Sequence, residues 1–299
     1  MAVQAPPRPV AEAATPTTRS SAARVSLAQA VYIIWYRDLI RFWRDRVRLV
    51  MSLAQPVLYL AIFGVGLSST IGRGSIGGGG LPASFSYLQF MYPGVLGMAV
   101  LFTAIFSAMS VVWDREFGFL REILVAPISR SAVAIGKTLG GATQAALQGV
   151  VMLIFAPIVG VHLTVLSVIE TIPLLFLLAF ALTSVGVALS ARLRTMQGFQ
   201  VVMNFLMMPM FFLSGALFPL ANLPAWMTVL TRFDPVAYGI APVRSAILGG
   251  SGLPQAAVDR LASVTIGDYV VPVLMDVVVL LLFSAVMLGI AMRSFRHRD

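Results

Sequence analysis

The sequence predicts an all-α membrane protein with six transmembrane helices and an N-terminal interfacial amphipathic helix. Three observations carry that prediction. Of 299 residues, 59% are hydrophobic and only 11% charged, less than half the roughly 25% charge of a soluble domain. The charges fall in clusters, separated by apolar runs long enough to cross a bilayer at about 1.5 Å per residue. The basic residues are also spread unevenly between alternate clusters, as chains that respect the positive-inside rule require. An ordinary water-soluble enzyme is excluded.

The net charge is +9, with 21 basic residues against 12 acidic. A nucleic-acid reader would need that charge on a water-exposed face, whereas here most of it flanks apolar runs, so no nucleic-acid partner is expected. The absence of cysteine removes disulfides, thiolate chemistry and zinc–thiolate sites. His162 and His297 stand far apart in sequence, and no metal is expected.

Residues 1–24 are rich in Ala, Pro, Thr and Ser and lack the apolar core of a signal peptide; they read as a disordered cytoplasmic tail. Residues 25–47 form the interfacial helix. At about 100° per residue, Arg37, Arg41, Arg44 and Arg48 share one face, with Val31, Tyr32, Trp35, Leu39, Phe42 and Trp43 opposite. Such a helix lies at headgroup level, its rings in the apolar boundary. Packing of the same face on a partner is the alternative.

Residues 48–299 form the six-helix domain. The first span, Leu49–Leu67, contains Pro56, tolerable where neighbours satisfy the freed carbonyl. Ile71–Pro82, with its four consecutive glycines, reads as a flexible loop. Further spans are placed at Tyr87–Trp113, Val133–Val159, Ser167–Ser190, Phe199–Pro219 and Tyr269–Met292. An even number puts both termini on one side. Assigning that side to the cytoplasm leaves 17 of the 21 basic residues inside and only Arg73, Arg232, Arg244 and Arg260 outside.

Gly136-Lys137-Thr138 contains the last three residues of a phosphate-binding loop, but Ser131 stands where that loop needs glycine and no strand precedes it. Leu213-Ser214-Gly215-Ala216 only echoes an ATPase signature, inside an apolar span. If ATP drives this protein, another polypeptide binds it. The segment Asp114–Arg130 is too polar to span and too short to be a domain. Phe117, Leu120 and Leu124 lie at helical spacing as an apolar stripe, with Glu116, Arg121 and Glu122 as a polar rim. Pattern alone leaves two readings open, a docking surface or an ordinary connecting loop on the headgroups.

This segment resembles the E-R-E-x-G-T-L-E-x-L … P-[VI]-S … G-K region of type-2 ATP-binding-cassette (ABC) export permeases, the family of daunorubicin-resistance and nodulation-factor exporters. Arg115, Glu116, Gly118, Leu120, Glu122, Leu124, Pro127, Ile128, Ser129, Gly136 and Lys137 match; Asp114, Phe119 and Arg121 depart from the pattern. A second stretch is similar to the family's F-L-S-G … F-P … L-P-x-W … N-P … Y … R. It comprises Phe212-Leu213-Ser214-Gly215, Phe218-Pro219, Leu223-Pro224, Trp226, Asp234-Pro235, Tyr238 and Arg244, with Asp234 in place of the commoner Asn.

The resemblance implies a coupling helix at 114–127, using Arg115, Glu116, Phe117, Gly118, Leu120, Arg121, Glu122 and Pro127 to dock on a separate ABC ATPase. It implies outer re-entrant helices at 220–248, built around Pro219, Pro224, Trp226, Asp234, Pro235, Tyr238 and Arg244. Two permease copies, or one with a homologue, would line a pathway driven by two ATPase subunits, which bind the ATP and Mg. No catalysis and no cofactor are expected on this chain. The setting is a bacterial inner membrane, and the cargo a hydrophobic or amphiphilic molecule such as a drug, lipid or glycolipid, as in multidrug transport.

Asp276 lies within the last span, where a charged Asp costs roughly 2.5–3.5 kcal/mol at a helix centre. Glu170 sits near the outer start of the fourth. The two carboxyls suggest an alternative, a proton-coupled secondary transporter, set against a structural role beside the outer vestibule. Met203, Met207, Met208 and Met210, with Phe205, Phe211 and Phe212, make the fifth span soft and aromatic. Met203, Met207, Phe211 and Asp276 are therefore candidate pathway residues, while lipid-facing filler is the plain alternative. Gly136, Gly140, Gly141 and Ala145 have the spacing of a tight helix–helix contact.

Overall fold

The computed structural model describes residues 26–66, 85–117, 129–220, 223–266 and 269–296. The expected tail at 1–24 and the glycine-rich loop lie outside them. Helix α1 spans Leu27–Arg44, begun by a capping box in which Ser26 Oγ accepts from the Gln29 N–H and the Gln29 side chain accepts from the Ser26 N–H. Helix α2, Arg46–Tyr59, runs on into a wide π turn at Leu60–Val65, downstream of Pro56. Leu27–Arg44 and Leu49–Gly64 meet at 71°.

Helix α3, Tyr87–Ser107, again opens with a capping box, Ser86 with Gln89, and continues through a break at Ala108 into α4, Met109–Glu116. The α3 helix is buried on nearly every side, from Phe90 and Tyr92 to Leu101 and Ile105. Around it pack α5 (Arg130–Leu153), α6 (Val165–Ser190) and the later part of α2 with its π turn. Helix α7 covers Met196–Leu213, and α11 covers Val273–Arg296 against α6 and α5. Lipid tails are as apolar as leucine, so within a bilayer this core would be held by close packing rather than by exclusion of water.

Between α7 and α11 lie three short helices: α8 (Ala225–Phe233), α9 (Pro235–Gly249) and α10 (Gln255–Ala262). A two-residue antiparallel pair follows, β1 (Thr265–Ile266) with β2 (Tyr269–Val270). Apart from that pair the described residues are helical or irregular, in keeping with the all-α expectation.

By length and composition, four helices can cross a membrane: α3 with α4, α6, α7 and α11; α1 with α2 makes a fifth if counted as one bent span. The expected third span, α5, is too polar to meet the same test. Its Gly136, Lys137, Thr138, Gly140, Gly141, Gln144 and Gln148 are buried against neighbouring helices rather than presented to lipid. Gly136 faces Ile34, Gly140 faces Asp38, and Gly141 faces Ser107 and Thr183, so the small residues do serve close helix packing.

Candidate functional site

Two polar constructions stand at opposite ends of the α3–α4 rod. The first gathers α1, α4 and α5. Asp114, near the end of α4, and Asp38, in the middle of α1, are 6% exposed each, and Lys137 of α5 is 3% exposed. Lys137 Nζ lies 2.7 Å from Asp114 Oδ2 and 3.2 Å from Asp38 Oδ2, and donates to Ser110 Oγ at 3.2 Å. Arg37 Nη2 reaches both carboxylates at 3.4 Å. Two cations and two anions thus neutralise one another, with Lys137 and both acids buried and Arg37 reaching in from the partly exposed rim. Each charge has its opposite within reach, the condition under which a buried ion pair is tolerable.

Around this lattice the same helices are tied by neutral bonds. Gln144 Nε2 donates to the Asp38 carbonyl at 3.1 Å, and Trp35 Nε1 donates to Thr143 Oγ1 at 3.0 Å. The face of α1 turned inward is Ala30, Ile34, Asp38 and Phe42. This differs from the amphipathic reading, in which the aromatic face alone met the apolar phase. Tyr32, Ile33, Tyr36 and Trp43 are exposed, whereas Trp35 is half-buried on α5. The acid at position 38 decides the rotation, because Lys137 must be answered. Neither Asp38 nor the pairing of Lys137 was apparent in the sequence; the signal was a single lysine in a chain that otherwise uses arginine, about two turns into α5.

The expected coupling residues begin beside the lattice. Arg115 donates from Nη1 to the Leu193 carbonyl at 2.8 Å and from Nη2 to the Ala191 carbonyl at 3.1 Å. These carbonyls belong to the α6–α7 turn, whose helix-end position suits a cation. Glu116 Oε2 accepts from the Met196 N–H at 3.3 Å, adding a carboxylate at the first turn of α7. Arg41 lies over the Trp113 ring, 5.5 Å from its centroid. Phe117 is 76% exposed. Gly118, Leu120, Arg121, Glu122 and Pro127 lie outside the described residues.

The second construction is at the other end of α3. Arg244 of α9 is 1% exposed. Its Nη2 donates to the Gly215 carbonyl at 2.7 Å and to the Ala216 carbonyl at 3.4 Å, and Nη1 donates to the Leu261 carbonyl at 3.2 Å. Its guanidinium stands 4.4 Å from the Phe90 ring centroid. The guanidinium therefore joins the end of α7, helix α10 and α3 through one side chain. Gly215, at φ +72°, turns the chain so that these carbonyls face inward, and a Cβ there would strike Leu220. A Cβ on Gly94 of α3 would collide with the Ala216 backbone, so this turn sits directly on α3.

Asp234 caps α9 by accepting from the Val236 N–H at 3.0 Å, with Pro235 at the first helical position. Its other oxygen, Oδ2, is buried without a partner among the described residues. Burial pushes its pKa well above the ordinary carboxylate range, opposed only in part by the Val236 hydrogen bond. Tyr238 Oη donates to the Arg232 carbonyl at 3.0 Å, and Tyr87 Oη to the Leu217 carbonyl at 2.7 Å. Pro219 is half-buried, while Pro224 and Trp226 are exposed.

Of the candidate pathway residues, Met203, Met207 and Phe211 occupy the buried face of α7, and Val201, Phe205, Met208 and Phe212 occupy its exposed face. Asp276 is buried in the first turn of α11 rather than a third of the way along a span, and its Oδ1 has no partner among the described residues. Glu170 is exposed, on the rim of an open groove of about 830 Å³ between α6 and α9. Among the described residues no cluster of His, Cys, Asp or Glu is fit to hold a metal.

Comparison with known proteins agrees with the motif resemblance. The chain is 29% identical over 276 residues to the transport permease ycf38 of Cyanophora paradoxa, covering 91% of this chain and 93% of that protein. It is 28% identical over 231 residues to the inner membrane transport permease YadH of Escherichia coli K12, covering 75% and 85%. With nodulation protein J of Rhizobium leguminosarum bv. viciae it shares 26% identity over 219 residues, covering 72% and 81%. Residues 29–248, which include the charge lattice and Arg244, match the model of the ABC-2 type transporter, and the chain belongs to that family.

Proposed function

We propose that this chain is the transmembrane permease subunit of an ATP-driven exporter, moving hydrophobic or amphiphilic molecules out of the cytoplasm or inner leaflet. A separate ABC ATPase, in two copies, binds ATP and Mg and docks on residues 114–127; a second permease copy or a homologue completes the pathway. Both termini and the α4 end face the cytoplasm of a bacterial cell, with α8 and α9 forming the re-entrant outer segment.

The observation that carries this reading is the charge lattice of Asp38, Asp114, Lys137 and Arg37. It ties the lead-in of the docking segment to α1 and α5, so force applied there is delivered to three helices rather than to a loop. The Arg115 and Glu116 contacts extend the same body to α6 and α7. A connecting loop resting on headgroups needs none of these bonds.

The test is co-expression with a candidate ABC ATPase, followed by purification and measurement of ATP turnover and export. The complex co-purifies, and Glu116→Gln with Glu122→Gln lowers turnover and export together, by roughly tenfold if one charge-assisted contact is lost. Absence of any ATPase, or unchanged turnover and export, refutes the assignment. Collapse of the proton gradient at constant ATP leaves export intact; arrest would favour the proton-coupled alternative through Glu170 and Asp276.

A further inference from the structure

The side of α1 turned away from the charge lattice carries a continuous apolar stripe. At about 100° per residue, Tyr32, Tyr36, Leu39, Ile40 and Trp43 share one arc of about 100°, whereas Ala30, Ile34, Asp38 and Phe42 form the buried face. Tyr32 and Tyr36 stack, their ring centroids 5.9 Å apart, and Trp43 is 69% exposed. Where this stripe meets α5, Leu39, Ile40, Trp43 and Arg44 enclose with Leu147 an open groove of about 420 Å³, within the size range of small-molecule sites. Its wall is apolar apart from the one guanidinium, that of Arg44. Arg44 is exposed, and makes no hydrogen bond or ion pair among the described residues.

We propose that this groove holds a phospholipid of net negative charge, of the phosphatidylglycerol type, as a bound ligand of the α1–α5 contact. An acyl chain lies between Leu39, Ile40 and Trp43 on one side and Leu147 on the other, where both walls are hydrocarbon or ring. The phosphodiester meets Arg44, whose planar fork suits phosphate oxygens. The Trp43 indole, apolar in body with one N–H at its edge, stands at the boundary between chain and headgroup.

Charge selects the headgroup. Residues 41–48 hold Arg41, Arg44, Arg46 and Arg48 against Asp45 alone, and Asp45 is already engaged. Arg41 is set over the Trp113 ring, so Arg44 and the exposed Arg46 are left to face the lipid. Among the described residues no acidic side chain lines the groove, and an ammonium headgroup would meet cations with no acceptor. A diester whose second substituent is neutral meets no such opposition. Each arginine near an anionic headgroup strengthens binding roughly fivefold. The inference takes from the proposed function only its setting, a bilayer whose inner-leaflet headgroups lie level with α1, and needs no ATPase partner.

The experiment uses the full chain, purified in mild detergent and read by native mass spectrometry during stepwise delipidation. Phosphatidylglycerol, phosphatidylethanolamine and phosphatidylcholine of matched chains are offered in turn. Phosphatidylglycerol is retained longest, one molecule per chain outlasting the rest. Arg44→Gln lowers its apparent affinity roughly fivefold. Leu147→Phe, which fills the groove and leaves the charge unchanged, shortens retention too; if that variant fails to fold, Trp43→Ala at its exposed position makes the same test. Arg192→Gln with Arg194→Gln, two exposed arginines of the α6–α7 turn, leaves the long-lived molecule in place. Equal retention of the three lipids, or preference for phosphatidylethanolamine or phosphatidylcholine, overturns the proposal. So does an Arg44→Gln variant indistinguishable from the parent, or a loss at Arg192 and Arg194 as large as at Arg44. The readout involves no ATP, so failure of the exporter reading leaves it standing, and its own failure leaves that reading untouched.

Discussion

The two ends of the α3–α4 rod bury a cation by opposite means. Lys137 is matched by full counter-charges, Asp38 and Asp114, with Arg37 balancing the second acid. Arg244 is held by three backbone carbonyls and the face of Phe90. Counter-charges can be exchanged in pairs, because removal of both signs leaves nothing unanswered. Carbonyls cannot be removed by substitution, so the carbonyl-bound cation has no partner whose loss compensates its own. Side-chain chemistry accordingly defines the first corner, and backbone shape, set by Gly215, defines the second.

The largest effect expected is at Lys137. Lys137→Met leaves two buried carboxylates with Arg37 alone and costs about 3–5 kcal/mol of stability. Equilibrium unfolding of the purified protein measures the loss, and adding Asp114→Asn to the same chain recovers a large part of it. If the double variant is no more stable than the single one, the lattice is not the unit described here.

Arg244→Lys comes next. A lysine keeps the charge but cannot present a planar fork to carbonyls on two segments, and loses about 1.5–3 kcal/mol. No second substitution of a carboxylate restores it, in contrast to Lys137. A variant as stable as the parent would erase the distinction between the two ends.

Asp234→Asn acts in the other direction and is smaller. The folded-state pKa of Asp234 is raised by burial, so the native protein holds this proton more tightly than the unfolded chain and loses stability as pH rises above the unfolded value, near 3.9. An amide carries no charge and keeps the acceptor for the Val236 N–H, while it sets a neutral NH2 where the bare oxygen stood. The variant is therefore more stable at neutral pH, by about 1 kcal/mol, and the advantage closes as pH falls toward 4. Thermal unfolding across that pH range gives the sign directly. Smallest is Glu116→Gln in the isolated chain: its exposed contact to the Met196 N–H contributes about 0.3–1 kcal/mol to stability, so any large effect on turnover in a complex is not a folding effect.

Much of the fold was legible because apolar runs and helix starts are local signals. Ser86 with Gln89 opens α3 and Thr164 with Ser167 opens α6, both within a few residues of the expected boundaries. The α5 helix was harder to rank as a span, since its glycines and glutamines lower its hydropathy for reasons of packing that appear only with the neighbours in place. At the sites, Arg244 and Asp234 carried a motif and could be singled out. Asp38 carried none. Its partner lies 99 residues away, and helical periodicity cannot report a contact at that separation. The same holds for Met203, Met207 and Phe211, whose softness was visible but whose inward direction was set by α3 and α2.

The enclosure of α3 has a consequence for how the molecule can move. With Gly94 touching the Ala216 backbone and Gly141 meeting Ser107, this helix has no slack along which to slide. It is a keel. Shape change in the bilayer is then left to the outer planking, above all α7, whose outward side of Val201, Phe205, Met208 and Phe212 is exposed among the described residues.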